Sequence, residues 1–327
     1  MKKIDKVVWG VIGAGNVCEK KSMPAMQIIP HSRVRMVMRR NTEACRDFAR
    51  RHKIPEWTTD AASLFEDPQI NAVYIATPPD THAYYTQLAA KAGKAVYVEK
   101  PMARNYAECR EMLRACRTAG VPLFVAYYRR MLPQFRRVKE LIDKGAVGTV
   151  CAAHISFYRP PYAEDAHPER NWRVRPEISG GGHFHDLASH QLDLMDYLLG
   201  PLKHVRGNAL NRAGLYAPPD TLSATFHFAG GAVGSGSWCF VSSPEENVDQ
   251  ISISGTEGYL NFSTFANARI HCVSEQWGIL QEEYALPAHI QEYLIRTLVA
   301  ELRGEGYCPS TGSSAARTSR VMDLICS

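Results

Sequence analysis

The sequence predicts an α/β protein with two domains. Residues 1–128 are expected to form a doubly wound parallel sheet, and residues 129–327 an α/β domain with a large, mostly antiparallel open sheet. In the first part, short apolar runs alternate with helical patterns, as a parallel sheet buried on both faces requires. The second part changes to short strands in which apolar and polar residues alternate, which is typical of a sheet with one face on helices.

Five apolar runs in the first part are predicted strands, and segments with helical periodicity separate them. Gly93 and Gly120 follow two of these helices, where glycine is a common stop signal. The N-terminus is basic and then apolar, like a signal peptide, but glycines enter without a small-residue cleavage site, so we interpret it as the first strand. The predicted strands are KVVWGVIG, RVRMVM, NAVYIAT, KAVYVEK and VPLFVAY.

The second part contains further short strands and a late helix, HIQEYLIRTLVAELRG. Residues 221–228 show the alternation, because every second residue is apolar. The chain ends on VMDLICS, the pattern of a helix interior, so we expect a trimmed terminus. The predicted strands are TLSATFHF, GAVGSGSWCF, VDQISISG, GYLNFS and ARIHCV.

Composition narrows the function classes. No apolar run approaches the about 18 residues that a membrane span needs. Nine cysteines without a C-x-x-C pair favour reduced thiols in a cytoplasm over disulfides or a zinc site. The net charge of +5 is modest, and basic pairs fall on helical segments, which favours solvated helix faces over a nucleic-acid surface. We therefore expect a cytoplasmic protein that binds neither membrane nor nucleic acid.

The segment GVIGAGNVC predicts a dinucleotide-binding turn. Gly13 and Gly15 follow the first strand, and Asn16 and Val17 begin the next helix. Glycine permits the tight turn and lets backbone amides approach a pyrophosphate, which then lies at the helix N-terminus. Cys18 stands at the third position of the fingerprint, where a small residue is needed.

The end of the second strand indicates which dinucleotide binds. NAD sites usually have a carboxylate there for the ribose hydroxyls, but this chain has Arg39 and Arg40. Two guanidinium groups suit a 2′-phosphate by charge and geometry. We therefore expect NADP(H), with NAD and two solvated arginines as the alternative.

The segment YVEKP ends another predicted strand, and Lys100 lies just after it. Ligands of open α/β sheets bind at the carboxyl ends of strands. Lys100 could donate a hydrogen bond to a substrate hydroxyl or carbonyl oxygen there. The alternative is a surface lysine before a turn.

The segment SGGGHFHDLASHQLDLMDYL predicts an apolar helix that begins near residues 184–186 and carries one polar stripe. Asp186, His190, Asp193 and Tyr197 are spaced four, three and four residues apart, so they share a face. Since unpaired buried polar groups are unfavourable, we expect the stripe to face a cleft. A nearby Asp186 should raise the pKa of His190 and help it hold a proton. The alternative is a surface helix with an ordinary Asp–His pair.

The order of GAGN, TPPDTH, EKP, YYRR and GGG…D…H resembles the Gfo/Idh/MocA oxidoreductase family over almost the whole chain. The resemblance implies a Rossmann domain, an α/β domain with an open sheet, and NAD(P)-dependent redox chemistry on sugars or polyols. It also implies catalytic roles for Lys100, Asp186 and His190, and a candidate cis bond between Lys100 and Pro101. Cofactor-contacting positions implied in this way are Gly13, Gly15, Thr77, Pro78, His82, Glu99 and Lys100.

Other residues are expected around the substrate. Tyr128 and Arg129 stand at the end of the predicted strand VPLFVAY and should lie on the nicotinamide side of the cleft. The loop before the glycines is rich in arginine and aromatic residues, so Trp172 could stack on a sugar and Arg173 could bind a carboxylate or phosphate; a solvated loop is the alternative. His183, with Asp186, is also assigned to the substrate. We expect no metal, because the resemblance implies metal-free chemistry and no H-E-x-x-H spacing occurs.

The resulting hypothesis is an NADP(H)-preferring dehydrogenase or reductase that acts on a sugar, a polyol or a derived acid. A homodimer or homotetramer is expected, with Trp238 and Phe240 in the open sheet that would pair. Two alternatives remain: a dinucleotide- or sugar-binding sensor without turnover, and a glycoside-cleaving enzyme with NAD as a transient oxidant.

Overall fold

Two β-sheets organise the computed structural model, which describes residues 4–327. The first sheet has six parallel strands in the order β3-β2-β1-β4-β5-β6, and the second has eight strands in the order β14-β13-β12-β11-β7-β10-β9-β8. Both predicted sheet types are confirmed. None of the helices in the described residues is long and apolar enough to cross a bilayer.

The first sheet reverses its strand order between β1 and β4, where a doubly wound fold binds its ligand. All five predicted strands are present. Sequence analysis missed β3, a three-residue edge strand without a buried residue. The strands are β1 (Val7–Ile12), β2 (Ser32–Met38), β3 (Glu56–Thr58), β4 (Ala72–Ile75), β5 (Ala95–Val98) and β6 (Leu123–Val125).

Helices connect these strands and cover both faces of the sheet. Gly93 and Gly120 follow α4 and α5 with φ values of 70° and 66°, a left-handed conformation that favours glycine and confirms the predicted helix ends. A π-helical turn, Cys18–Ser22, precedes the first α-helix. The helices are α1 (Met23–Ile28), α2 (Thr42–Arg51), α3 (Ala62–Glu66), α4 (His82–Lys91) and α5 (Tyr106–Ala119).

The chain forms two compact units. The first combines residues up to Tyr128 with Pro287–Ala316, and the second combines Arg129–Leu286 with Arg317–Ser327. The structure thus differs from the expected range 129–327 at Pro287–Ala316. The reason is the late helix α9 (Glu292–Arg303), whose buried apolar face contacts β1 and α1 of the first unit.

The second sheet is antiparallel except where β7 pairs with β10. The apolar residues of 221–228 are buried and the polar ones exposed, as the alternation predicts. Sequence analysis did not identify β7, β8 or β14; β8 and β14 are the edge strands and mostly exposed. The strands are β7 (Val150–Tyr158), β8 (Leu202–Leu210), β9 (Thr221–Phe228), β10 (Val233–Cys239), β11 (Val248–Gly255), β12 (Gly258–Phe262), β13 (Arg269–Ser274) and β14 (Gly278–Glu283). The helices of this unit are α6 (Pro133–Asp143), α7 (Pro176–Ser179) and α8 (Ser189–Leu199), and α10 (Gly312–Cys326) begins in the first unit and ends in this one.

Trp238 and Phe240 point into the unit, not towards the open face of its sheet. Both side chains are fully buried, and Trp238 Nε1 donates a hydrogen bond of 2.8 Å to Gln191 Oε1 on α8. Gly236 makes room for the indole, because a Cβ there would lie 2.2 Å from Trp238 Cη2. The expectation that these aromatic residues join an intersubunit surface is therefore wrong.

Helix α8 is held by buried ion pairs. Asp193 accepts hydrogen bonds from Arg130 Nε at 2.7 Å and Nη2 at 2.6 Å. Asp196 is paired with Arg317 at 2.6 Å and lies 3.6 Å from Arg130. The expected cleft-facing stripe is thus wrong at Asp193, because its carboxylate is neutralised inside the second unit.

We predict that Arg130→Met destabilises the protein by about 3–5 kcal/mol, because it leaves the buried carboxylate of Asp193 without its ion pair. Urea unfolding followed by circular dichroism measures the change. Arg136→Met is the matched control, since Arg136 is exposed on α6, and should change the free energy of unfolding by less than about 0.5 kcal/mol. Equal unfolding midpoints for the two variants would show that the buried pair is not needed.

Candidate active site

The glycine turn after β1 holds one glycine against Thr77 and leaves open space above the other. Gly13 adopts φ 85°, and a Cβ there would lie 2.8 Å from the backbone nitrogen of Thr77. By contrast, a Cβ on Gly15 would meet nothing closer than Gly13 O at 3.8 Å. Gly13 is required by the fold itself, whereas the space above Gly15 is open at the start of a helix. This space fits the expected dinucleotide, whose phosphates favour a helix N-terminus.

Asn16 and Val17 form the first residues of that helix, and Asn16 is exposed. Cys18 is fully buried, with its Sγ 3.8 Å from Gly13 O. Burial, assisted by Glu99, raises the pKa of the Cys18 thiol to about 12. Cys18 is therefore an uncharged packing residue, as its position in the fingerprint requires.

Arg39 and Arg40 lie directly after β2, half-buried and exposed respectively. Neither forms an ion pair with another of the described residues. Their positive charges are therefore not neutralised within the described chain. This favours an anionic ligand at the end of β2 but does not distinguish NADP from other anions.

His82 joins two loops at the carboxyl ends of the strands. Its Nε2 lies 2.8 Å from Thr77 O, and its Nδ1 lies 3.1 Å from Pro101 O. The ring is fully buried, and this burial lowers the pKa of His82. His82 therefore holds the Thr77–Pro78 loop beside the EKP loop. The predicted cis bond between Lys100 and Pro101 is confirmed.

Glu99 and Lys100 directly follow the β5 strand. Glu99 is only 7% exposed and accepts hydrogen bonds from Tyr74 and Gln291, whereas Lys100 is half-buried. Tyr128 is similarly buried, at 6% exposed, and lies in the turn after β6. Sequence analysis missed Gln291, because it is 192 residues away from Glu99.

In the second unit, His190 lies on the first turn of α8, after a π-helical turn at Phe184–Ala188. Its ring is 3% exposed and lies 5.9 Å from the ring of Phe265. The guanidinium of Arg129 lies over the same ring, 4.4 Å from its centre. Phe265 thus packs against both predicted residues, Arg129 and His190.

The position of Phe265 depends on Asp249. The carboxylate accepts hydrogen bonds from the backbone nitrogens of Thr264 at 3.1 Å, of Phe265, and of Ala266 at 2.9 Å. Asp249 thereby closes the turn that follows β12. Neither Asp249 nor Phe265 belongs to a sequence motif used above. The signal that could have identified Asp249 is an aspartate inside a strand, because strands rarely contain one.

Asp186 contacts Arg173, and Arg173 in turn packs on Trp172. Arg173 Nε lies 3.3 Å from Asp186 Oδ2, and the guanidinium is 4.6 Å from the centre of the Trp172 ring. The side chains of Arg173 and Asp186 are 44% and 20% exposed. The structure therefore brings Trp172, Arg173 and Asp186 into one partly open group.

His183 has an anchoring contact. Its ring is 1% exposed, and its Nε2 lies 2.8 Å from Asp165 Oδ1. Asp165 is fully buried and also accepts hydrogen bonds of 2.9 Å from Tyr162 N and from Asn171 Nδ2. The contact joins the loop to the start of the helix, and a direct contact of His183 with substrate stays a prediction.

The glycines before α8 have local packing functions. A Cβ on Gly181 would lie 2.0 Å from His185 Nδ1, and a Cβ on Gly182 would lie 2.7 Å from Pro218 Cβ. At both positions the missing side chain therefore makes room for a neighbouring residue of the protein itself. Burial lowers the pKa of His185 to about 4, so its ring is neutral at pH 7. No group of three His, Cys, Asp or Glu side chains suited to a metal occurs within residues 4–327.

Comparisons with known proteins agree with the fold of both units. Residues 7–127 match the description "Oxidoreductase family, NAD-binding Rossmann fold", and residues 135–261 match "GFO/IDH/MocA C-terminal domain". The chain is 37% identical to Oxidoreductase P35 of Formosa agariphila, over 98% of both sequences. It is 26% identical to 1,5-anhydro-D-fructose reductase of Ensifer adhaerens, over 93% of this chain and 90% of that protein. Among solved structures, levoglucosan dehydrogenase in complex with NADH has the same fold, with a TM-score of 0.86, 24% identity, and coverage of 98% of this chain and 96% of that one.

We predict that Gly15→Ala keeps the fold but raises the Kd for the dinucleotide about tenfold or more, equivalent to about 1.4 kcal/mol. The added methyl group would occupy the open space and block the phosphates. Gly13→Ala should instead lower the melting temperature without any ligand, because a positive φ strains alanine by about 1–3 kcal/mol. Calorimetric titration and thermal unfolding separate the two effects. Unchanged dinucleotide affinity in Gly15→Ala would place the phosphates elsewhere.

Proposed function

We propose that this chain, which belongs to the Gfo/Idh/MocA family of NAD(P)-dependent oxidoreductases, transfers a hydride between NADP(H) and a sugar, a polyol or a sugar-derived acid. The observation that carries the proposal is the open space above Gly15 at a helix start, in a chain that retains Lys100, Asp186 and His190. Relatives with carbohydrate names, such as 1,5-anhydro-D-fructose reductase, support the substrate class.

The chain's own residues supply binding and proton transfer. When bound, the nicotinamide ring accepts or donates the hydride. In the oxidative direction, a ring nitrogen of His190 takes the proton of the substrate hydroxyl, and in reduction it returns that proton. Lys100 Nζ donates a hydrogen bond to the substrate oxygen. Asp186 orients His190 or accepts a hydrogen bond from a neighbouring hydroxyl.

The charges of the loop favour a neutral substrate over an acid. Arg173 is paired with Asp186 at 3.3 Å, and Arg175 with Glu177 at 2.7 Å. Arg159 packs on the Tyr162 ring. Because the two pairs are already neutralised, they attract a carboxylate or phosphate less than free arginines would. A turnover screen of neutral sugars, polyols and sugar acids with both cofactors tests this, and turnover of sugar acids alone would overturn it.

The preference for NADP(H) is proposed from Arg39 and Arg40. We predict that Arg39→Asp combined with Arg40→Ser makes the binding free energy of NADPH less favourable by about 1.5–3 kcal/mol for each lost charged hydrogen bond. NADH lacks the 2′-phosphate, so its affinity should change much less. Fluorescence titration of both cofactors provides the dissociation constants. Equal constants for NADPH and NADH in the unmodified protein would refute the preference.

The proposed proton transfer is tested with His190→Ala. We predict that kcat falls by roughly 10²–10⁴, the contribution typical of a positioned acid–base group. The affinity for NADPH should stay close to that of the unmodified protein, because the glycine turn and not His190 holds the phosphates. The substrate found in the screen is used, and circular dichroism verifies folding. Unmodified turnover between about pH 6 and pH 9 would exclude His190 as the base.

We propose a homodimer or homotetramer that buries the open face of the second sheet. This face carries small polar side chains and histidines, with exposed Val233 (51%) and Tyr259 (38%) among them. A broad, patterned face of this kind suits an isologous contact. We predict a light-scattering mass of at least about twice 36.5 kDa at micromolar concentration, and a decrease towards the monomer in Val233→Lys. A mass of one chain at that concentration would contradict the proposal.

A cytoplasmic location is proposed from the thiols. All nine cysteines are free, and six of them are buried. Reduced cysteines in this number are typical of a reducing compartment. Loss of activity that follows disulfide formation under mild oxidation would support this location, and full activity after complete oxidation would remove the argument.

A further inference from the structure

Glu99 is a buried carboxylate held by neutral donors. Tyr74 Oη and Gln291 Nε2 each donate a hydrogen bond of 2.6 Å to its Oε1. The backbone nitrogen of Lys100 donates one of 3.2 Å to Oε2. All three donors belong to the first unit, so the carboxylate is fixed by that unit alone.

Gln291 is itself fixed from two sides. Tyr97 Oη donates a hydrogen bond of 2.8 Å to Gln291 Oε1, which orients the amide so that its nitrogen faces Glu99. The backbone nitrogen of Gln291 donates to Lys21 O at 3.3 Å. Burial is the main reason that the pKa values of Tyr74 and Tyr97 are raised well above 10, so both hydroxyls remain donors at physiological pH.

The location of Glu99 suggests a function beyond packing. It follows β5, in the half of the sheet formed by β4, β5 and β6. A doubly wound sheet binds a dinucleotide at the carboxyl ends of its strands, with one nucleotide on each half. The adenosine side is marked by the β2 end and the glycine turn, so the nicotinamide belongs to the half that contains Glu99.

The oxidised nicotinamide ring carries a positive charge, and the reduced ring is neutral. A fixed negative charge nearby therefore stabilises the oxidised form relative to the reduced form. We propose that Glu99 is a fixed charge that shifts the binding preference of this protein towards the oxidised dinucleotide, and that Tyr74 and Gln291 are the positioning residues that hold it. The inference requires dinucleotide binding, but neither a particular substrate nor a preference for NADP.

The first test is Glu99→Gln, which keeps the shape and removes the charge. The dissociation constant of the oxidised cofactor is measured by calorimetry, and that of the reduced cofactor by nicotinamide fluorescence. The ratio of the oxidised to the reduced constant should rise about tenfold, which corresponds to about 30 mV in the potential of the bound two-electron couple. Glu292→Gln is the matched control, because Glu292 pairs with Arg296 on α9, and its ratio should stay unchanged.

The positioning residues are tested by removing one donor at a time. Tyr74→Phe and Gln291→Leu should each change the ratio in the same direction as Glu99→Gln, but less. Tyr293→Phe is the control for a lost hydroxyl, because Tyr293 lies on α9 and has no hydrogen bond to Glu99 among the described residues.

Two outcomes would overturn the inference. In the first, Glu99→Gln raises the dissociation constants of both cofactor forms by the same factor. Glu99 would then only stabilise the EKP loop and would not act through its charge. In the second, Tyr74→Phe and Gln291→Leu leave the ratio unchanged, and this result decides the question if Glu99→Gln does not fold. No turnover is measured, so an incorrect substrate or a failed His190 experiment would not affect the result.

Discussion

A carboxylate that is removed from water has to be paired or fully hydrogen-bonded, and this requirement determines which distant segments of the chain meet. In the second unit, Asp193 and Asp196 on α8 require Arg130 from before α6 and Arg317 from α10. In the first unit, Glu99 requires Gln291 from the segment that returns after the second sheet. The apolar cores supply most of the burial, but these few groups make the pairing of remote segments specific.

The same requirement organises the loop beside α8. Asp165 is fully buried and collects three donors, which tie the start of the loop, its middle and the beginning of the helix together. Asn171 also accepts a hydrogen bond from the backbone nitrogen of Arg173 at 3.1 Å. Asp165 therefore acts on Asp186 indirectly, because it fixes the turn from which Arg173 reaches that carboxylate.

Local patterns were sufficient to predict most elements. The strands β1, β4 and β5 have uninterrupted buried runs. The helix ends at Gly93 and Gly120 were predictable because glycine favours the left-handed conformation that these positions adopt. The edge strands β3, β8 and β14 were missed because exposed strands carry no continuous apolar signal. The orientation of Trp238 could not be predicted from composition, since it depends on which face of β10 meets α8.

Long-range polar contacts could not be predicted for a different reason. Spacing identifies residues on one helix face, so it grouped Asp193 with Asp186 and His190. It does not reveal that Arg130, 63 residues earlier, neutralises Asp193. The return of Pro287–Ala316 to the first unit could not be predicted for the same reason. The helical pattern of α9 predicts a buried face but not the elements on which that face packs.

Burial and saturation of hydrogen bonds separate anchoring residues from candidate ligand residues. His82 is fully buried with both ring nitrogens near backbone carbonyls, so its ring can reach a ligand only if an existing contact breaks, which costs free energy at every binding event. His183 is buried against Asp165 through Nε2, whereas its Nδ1 has no hydrogen-bond partner among the described residues. Gly15 has open space, and the guanidinium of Arg40 is exposed. A motif match therefore identifies two physically different groups of residues: those that shape the loops, and those whose surfaces remain available to a ligand.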